Sequence, residues 1–344
     1  MTDKSTIRVV GDPPRSAPVL VGETILESLL QAGVPFPNNC QLGNCGACKC
    51  ELVDGDILEL PSSEYALNEE ERARGLILAC RTQAWGDCTV RMLEADETVL
   101  HPSRILRCSV LEIEELTHDI KGLRLSIASG GPYTFSAGQH ARIKFAPGIP
   151  ERSYSMANRP DQELLEFHVR QVPRGQASGF VFSNLRPGAE LTVSGPFGSA
   201  FFREQHAGPI LAVAGGSGLA PIRSIVEAAL KAQPDREVHL YFGVRDERDV
   251  YLEGWWTELQ SRCPRFSVQV VLSQPSGATS RRTGLLSDVA PDDFSSFDGF
   301  KAYVAGPPPM VEAMQSKLEA RGVARRDIHA DAFYDQTQDA FNLG

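Results

Sequence analysis

The chain is 344 residues long, 42% hydrophobic, and carries a formal net charge of −10. That length calls for two or three domains, each with a core of its own. No apolar run reaches the roughly 18–20 residues that a membrane helix needs, MTDKSTIRVV lacks the regions of a signal peptide, and the acidic balance argues against a nucleic-acid partner. The expectation is a cytoplasmic protein with no membrane and no nucleic acid among its partners, in a compartment that keeps thiols reduced. The charge is uneven: residues 1–98 hold 8 Lys+Arg against 16 Asp+Glu, and residues 99–344 hold 26 against 28. An acidic first segment steers towards a positively charged protein patch; a merely solvated acidic surface is the plainer alternative.

Residues 1–98 read as a small mixed α/β unit. STIRVV and APVLV are strand-like with the turn residues GDPPR between them, and ETILESLLQAG has helical apolar spacing and ends at Gly33. NNCQLGNCGACKC then holds Cys40, Cys45 and Cys48 as C-x4-C-x2-C. KCELVDGDI reads as a strand and turn. NEEERARGLILAC brings a polar stretch and an apolar strand to Cys80, after 31 intervening residues. This is the spacing of a plant-type 2Fe–2S cluster, with soft thiolate ligands. Gly43 and Gly46 permit positive φ, so that backbone N–H groups can approach the sulfurs. Zinc sites set cysteines as two short pairs, whereas three crowd one loop here. Cys50, Cys88, Cys108 and Cys263 have no second motif and read as packing residues; Cys88 is the one rival to Cys80. A cluster of this kind passes single electrons, so the chain reads as an electron carrier.

TVLHPSRIL, with Pro102, reads as a linker over 99–104. Residues 105–206 alternate short β-branched or aromatic runs with Gly/Pro turns: LRCSVLEIEEL, GLRLSI, HARIKF, LEFHVRQV and ELTVSGPFG. That pattern predicts an antiparallel barrel. Residues 207–344 change character. PILAVAGG, EVHLYFGVR, FSVQVVLS and KAYVAG are continuous apolar strands, and APIRSIVEAALKA, WWTELQSR and MVEAMQSKLEARG are helical. Alternating strands and helices predict an open parallel sheet.

Two stretches suggest ligands. RSYSMAN, from Arg152 to Asn158, sets a guanidinium beside an aromatic ring and hydroxyls, which suits a flavin; a surface loop with a packed Tyr is equally open. GGSGLAP, from Gly215 to Pro221, lies between a strand and a helix, where backbone N–H groups can cradle a pyrophosphate. It departs from G-x-G-x-x-G, and a tight strand–helix turn is the alternative.

Taken in order, the cluster loop, RSYSMAN, GGSGLAP and the terminal HADAFY resemble the reductases of bacterial aromatic-ring-hydroxylating dioxygenase systems. These belong to the ferredoxin–NAD(P) reductase superfamily, and the resemblance covers essentially the whole chain. It implies a β-grasp-like ferredoxin domain over 1–98, an FAD-binding β-barrel over 105–206 and an NAD(P)-binding domain over 207–344. It also implies roles. Cys40, Cys45, Cys48 and Cys80 would hold the cluster. Arg152 would bind a flavin phosphate, Tyr154 would pack on the isoalloxazine and Ser155 would hydrogen-bond near its N5. His168 and Arg170 fall on the strand lining the flavin, with an ordinary strand histidine equally open for His168, and Gly175 and Ser178 match a pyrophosphate contact. Gly215, Gly216, Ser217 and Gly218 would cradle the nicotinamide dinucleotide, joined by Arg245 and Gly306. Phe333 would cover the flavin ring. Many relatives carry Cys-Gly near the last strand, where this chain has Ala305 and Gly306 in VAGPPPM.

The family's Ser-Arg pair of NADPH-specific members appears here as Ser273–Gln274, although Arg281 and Arg282 can compensate; NADH is the favoured donor, with NADPH open. The implied reaction is a relay from NADH through FAD and the cluster to a Rieske ferredoxin or a terminal oxygenase, with no general acid, base or nucleophile. The reductase of a diiron monooxygenase or of a deoxysugar dehydration system shares this domain order. A redox-sensing binding module would need a DNA- or partner-binding stretch that the sequence does not display.

Overall fold

The computed structural model describes residues 5–334, apart from Asp12, Pro35, Asn39, Tyr65, residues 94–98 and Leu100. Its contacts divide the chain into two compact units, at residues 100 and 101. Part of the expected linker lies outside the described residues, and the first strand of the second unit starts at Arg104.

The first unit contains β1 (Thr6–Val10), β2 (Arg15–Pro18), α1 (Ile25–Gln31), β3 (Lys49–Asp54), β4 (Ile57–Glu59), α2 (Glu69–Ala73), β5 (Leu76–Leu78), β6 (Thr82–Ala84) and β7 (Cys88–Met92). Five strands make one sheet in the order β2-β1-β7-β3-β5, and β4 and β6 pair as a separate ribbon. Helix α1 starts where it does because Thr24 and Glu27 form a capping box, which satisfies two otherwise orphaned backbone N–H groups. Its Ile25, Leu26 and Leu29 are buried with Ile7, Val9 and Val90 of the sheet. The chain leaves the helix through Gly33, at φ +74°, as the sequence leads one to expect.

The second unit opens with β8 (Arg104–Glu115), β9 (Ile120–Ser129), β10 (His140–Lys144), β11 (Arg152–Ser155), β12 (Leu165–Arg170), α3 (Gln176–Ser183) and β13 (Glu190–Phe197). These strands form an antiparallel sheet in the order β11-β10-β13-β8-β9-β12. A bridge between Met156 and Phe167 brings its two outer strands together, so the sheet curls into a barrel.

There follow β14 (Ile210–Gly215), α4 (Leu219–Ala232), β15 (Val238–Val244), α5 (Glu253–Arg262), β16 (Phe266–Leu272), β17 (Arg282–Thr283), α6 (Leu286–Asp292), β18 (Lys301–Gly306), α7 (Pro308–Ala320) and β19 (Ile328–Ala332). The sheet order is β17-β16-β15-β14-β18-β19, and its neighbouring strands pair in parallel. Side chains alternate across a strand. Ile210, Ala212 and Ala214 of β14 therefore pack with α4 and α5, whereas Leu211 and Val213 pack with α6 and α7. Burial on both faces explains the unbroken apolar strands.

Barrel and parallel sheet are less separable than the division at 206 suggests. Ile120, Ala137 and Phe202 of the barrel segment share one apolar core with Ala212, Ile222 and Ile225. Polar contacts reinforce the junction. Arg223 of α4 pairs with Glu166 of β12 at 2.5 Å, and the Ser224 hydroxyl donates to Asn158 O at 2.6 Å. Several elements have no counterpart in the sequence reading, among them α3, β6, β7 and β17, and two more are notable. Helix α6 is short and contains Pro291, and β19 is interrupted by His329 and Asp331.

Candidate functional site

The four motif cysteines meet as two pairs. The thiol of Cys45 hydrogen-bonds to Cys40, and that of Cys80 to Cys48. Backbone amides converge on the same sulfurs. Leu42 N and Asn44 N donate to Cys40 Sγ at 3.4 Å each, Cys40 N donates to Cys45 Sγ at 3.5 Å, and Cys80 N donates to Cys48 Sγ at 3.5 Å. The Cys45 thiol, aided by the Leu42, Asn44 and Cys45 amides and opposed by burial, pulls the Cys40 pKa down to about 6. A single zinc would hold its sulfurs at ~2.3 Å, hence within about 4.6 Å of one another. Among the described residues no three thiols lie within 4.8 Å of one another. Two pairs suit two irons. The loop can approach the Cys80 segment because Gly43 has φ +82° and a Cβ there would fall 2.7 Å from Arg81 Cγ. Cys88, the rival, is 1% exposed in the sheet core, and burial pushes its thiol up to about 11.

In the barrel, β11 carries Arg152, Tyr154 and Ser155. The Arg152 guanidinium donates to the neighbouring Glu151 O at 2.7 Å and has no carboxylate partner among the described residues, so it remains available to a phosphate. Tyr154 meets Phe145 edge-on at 5.7 Å, and burial raises its phenol pKa. The buried Ser155 hydroxyl donates to Asp331 Oδ2 of β19 at 3.0 Å. Asp331 sits opposite Ala305 in the β18–β19 register. His140 of β10 faces the same spot. Burial pushes its imidazole pKa down, Asp331 draws it back up and Arg142 presses it down again. Asp331 and His140 were missed from the sequence. The signal for Asp331 was a carboxylate within a strand run that ends in the quoted HADAFY; His140 gave none.

Helix α3 begins at Gly175 with no side-chain cap, so its first amides remain free for an anion. The Ser178 hydroxyl accepts from Val172 N at 3.1 Å and braces that turn. These features fit an FAD: a cation for phosphate, an aromatic wall, a buried hydroxyl and an open helix start.

Two side chains on β12 turn away from the place implied for them. His168 is enclosed against Tyr251, its Nδ1 3.2 Å from the tyrosine oxygen, and so serves the junction with the parallel sheet. Arg170 donates to Asp119 Oδ2 at 3.0 Å and lines a cleft of the parallel-sheet half instead.

That cleft, of about 380 Å³, opens at the carboxyl ends of β14, β15, β16 and β18, where ligands bind in open parallel sheets. Gly215 and Gly216 line one end; Ser273 and Gly284 line the other, and Arg245 lies along it. Gly216 has φ +54°. Ser217 and Gly218 complete the turn into α4, which also starts without a side-chain cap. Gly306 has φ +146° and accepts from Phe333 N at 2.9 Å. The two arginines left open for a ribose phosphate are both occupied. Arg281 donates to Glu247 Oε2 at 2.9 Å and to Glu253 Oε1 at 2.8 Å, and Arg282 pairs with Asp293.

Comparison with known proteins agrees with this arrangement. Residues 9–84 match the 2Fe-2S iron-sulfur cluster binding domain, 107–202 the oxidoreductase FAD-binding domain and 212–316 the oxidoreductase NAD-binding domain. The reductase component of the naphthalene 1,2-dioxygenase system of Pseudomonas putida is 38% identical, over 93% of this chain and 96% of its own length. The xylene/toluene monooxygenase electron transfer component of Pseudomonas putida is 35% identical over 92% and 90%. A solved ferredoxin reductase in carbazole 1,9a-dioxygenase superposes with a TM-score of 0.70 at 29% identity, covering 96% of this chain and 98% of that one. Three matched domains and near full-length likeness make the chain a member of the ferredoxin–NAD(P) reductase family, an NAD(P)H-dependent oxidoreductase of FAD and a 2Fe–2S centre.

Proposed function

We propose that this protein is the reductase component of an aromatic-ring-hydroxylating oxygenase system, taking electrons from NADH and delivering them to a Rieske ferredoxin or the terminal oxygenase. The observation that carries this reading is the 38% identity with the naphthalene system's reductase over 93% of the chain. The monooxygenase reading draws on the 35% identity with the xylene/toluene component. A panel of purified acceptors separates the two: a Rieske ferredoxin, a Rieske oxygenase and a diiron hydroxylase, each supplied with NADH. Fast reduction of a Rieske protein is expected. Reduction of the diiron protein alone overturns the assignment. None of the eight cysteines is in a disulfide, which fits a reducing cytoplasm. No described helix is long and apolar enough to cross a membrane.

Bound FAD and cluster together supply the conversion of a two-electron donor into single electrons. The chain's own residues position and insulate. Cys40, Cys45, Cys48 and Cys80 would hold the cluster, and the surrounding amides would stabilise charge on the sulfurs. Arg152 and the start of α3, with Gly175 and Ser178, neutralise the flavin's phosphates. Tyr154 and Phe333 wall its ring. Gly215, Gly216, Ser217 and Gly218 admit the dinucleotide pyrophosphate, and Arg245 and Gly306 flank it.

Asp331 accepts the Ser155 hydroxyl proton through the 3.0 Å hydrogen bond, which would leave the serine oxygen as an acceptor for a flavin N–H. Asp331→Asn is expected to slow NADH-driven flavin reduction by roughly ten- to hundredfold, the worth of one hydrogen bond to a charged group. FAD content should stay full. Stopped-flow absorbance measures this, and an unchanged rate removes the role.

The far end of the cleft offers Ser273 rather than a free cation, because Arg281 and Arg282 are tied to carboxylates. A ribose 2′-phosphate there would meet Glu247 and Glu253 as well as Arg281. NADH should therefore exceed NADPH in kcat/KM by about tenfold or more, a difference of ~1.4 kcal/mol. Equal constants would contradict this.

A further inference from the structure

Three exposed apolar side chains of the cluster-bearing unit gather at the β4–β6 ribbon. Trp85 is 73% exposed, Leu58 42% and Val21 101%. They belong together by register. Leu58 of β4 lies opposite Gln83 of β6, and Gln83 and Trp85, two residues apart, project from the same side. The Gln83 side chain donates to Gly22 O at 2.9 Å, which brings the Val21–Gly22 turn to that face. The exposure is not that of a loose end: Trp85 N donates to Asp56 O at 3.0 Å. A fixed, exposed tryptophan with apolar neighbours is uncommon on a surface that has no partner.

The surrounding charge is negative. Asp54 and Asp56 border the ribbon and have no ion-pair partner among the described residues. Asp87 is paired with Arg8 at 3.0 Å, and Glu59 with Arg72. The ribbon is also close to the cluster. Trp85 follows Cys80 by five residues, so their Cα atoms are at most about 18 Å apart. Leu60 N donates to Arg81 O at 2.7 Å, fastening β4 beside the ligand-bearing turn.

We propose that the Trp85–Leu58–Val21 face is where the electron-accepting protein docks, and that its occupant is a one-electron carrier protein with a positively charged rim. The proposal rests on the electron-delivery reading above and names the surface that reading lacks. A tryptophan anchor flanked by the unpaired carboxylates of Asp54 and Asp56 gives a small, quickly released contact. Contact area of that kind and steering by charge suit a carrier that must leave after each electron.

The test uses the full-length holoprotein and horse cytochrome c, a basic one-electron acceptor, at low salt. Trp85→Ala is expected to lower kcat/KM for cytochrome c by about tenfold. Trp85→Phe should restore most of it, and Asp56→Asn should weaken its salt dependence. Iron content, ferricyanide reduction and the rate at which NADH bleaches the cluster should not change. An unaltered cytochrome c rate in Trp85→Ala overturns the proposal. So does slower bleaching, which would assign the face to transfer within the chain, or a dimer that Trp85→Ala dissociates, which would assign it to a second copy. If Cys45→Ser reduces cytochrome c as fast as the parent, electrons do not leave through the cluster, and the delivery reading itself fails.

Discussion

Cys45→Ser should yield a protein that keeps its flavin chemistry and loses its one-electron output. Cys45 is half of the Cys40 pair, and its sulfur also accepts the Cys40 amide. Serine offers a hard hydroxyl where a soft thiolate is needed, so one iron loses a ligand. Visible absorbance of the cluster and bound iron are expected to fall close to zero. NADH-to-ferricyanide activity, which the FAD of the second unit can support, should stay within about twofold, and cytochrome c reduction should drop by about a hundredfold or more. Cys263→Ala is the control: Cys263 lies at the end of α5, in the second unit's core, and iron content should be untouched by its loss. Retention of two irons per chain in Cys45→Ser would refute the ligand assignment.

Gly218→Ala should be the most damaging single methyl in the second unit. A Cβ at Gly218 would sit 2.1 Å from Ala305 O and 2.5 Å from Ala305 C. Both are backbone atoms of β18, so no side-chain rotation relieves the clash. Forcing β14 and β18 apart at their carboxyl ends opens the strands that frame the dinucleotide cleft. A cost of about 3 kcal/mol or more is expected, which lowers the melting temperature by roughly 6–12 °C in a unit of this size. The KM for NADH should rise in the protein that remains folded. Gly254→Ala makes the contrast. Nothing lies within 4 Å of a Cβ there, and Gly254 is inside α5, where alanine is favoured by up to ~1 kcal/mol. Equal melting temperatures for the two variants would contradict the packing argument.

What the sequence disclosed was whatever a local pattern encodes. Cysteine spacing, strand alternation, the unbroken apolar run of β14 and the glycines at the turn into α4 each reflect neighbours along the chain. The stop at Gly33 is equally local. What it withheld depends on distant segments meeting. Ser155 and Asp331 are 176 residues apart; neither type nor spacing announces their bond. Arg281 and Arg282 looked like free cations because Glu247, Glu253 and Asp293 reach them only through the folded loop. His168 matched a flavin-lining strand, yet its ring turns to Tyr251, which arrives from beyond β15. Ala305 appeared as a missing cysteine; its register partner is the acid that holds Ser155.

The core that Phe202 and Ile120 share with α4 and β14 also bears on how the protein can be recombined. A chimera that exchanges the iron–sulfur module for a relative's can be cut near residue 100, where the chain divides into two compact units. A cut at 206 would strip apolar side chains from both fragments at once. The flavin and pyridine-nucleotide halves should therefore be inherited, transplanted and expressed as one piece, leaving the electron outlet as the part free to diversify.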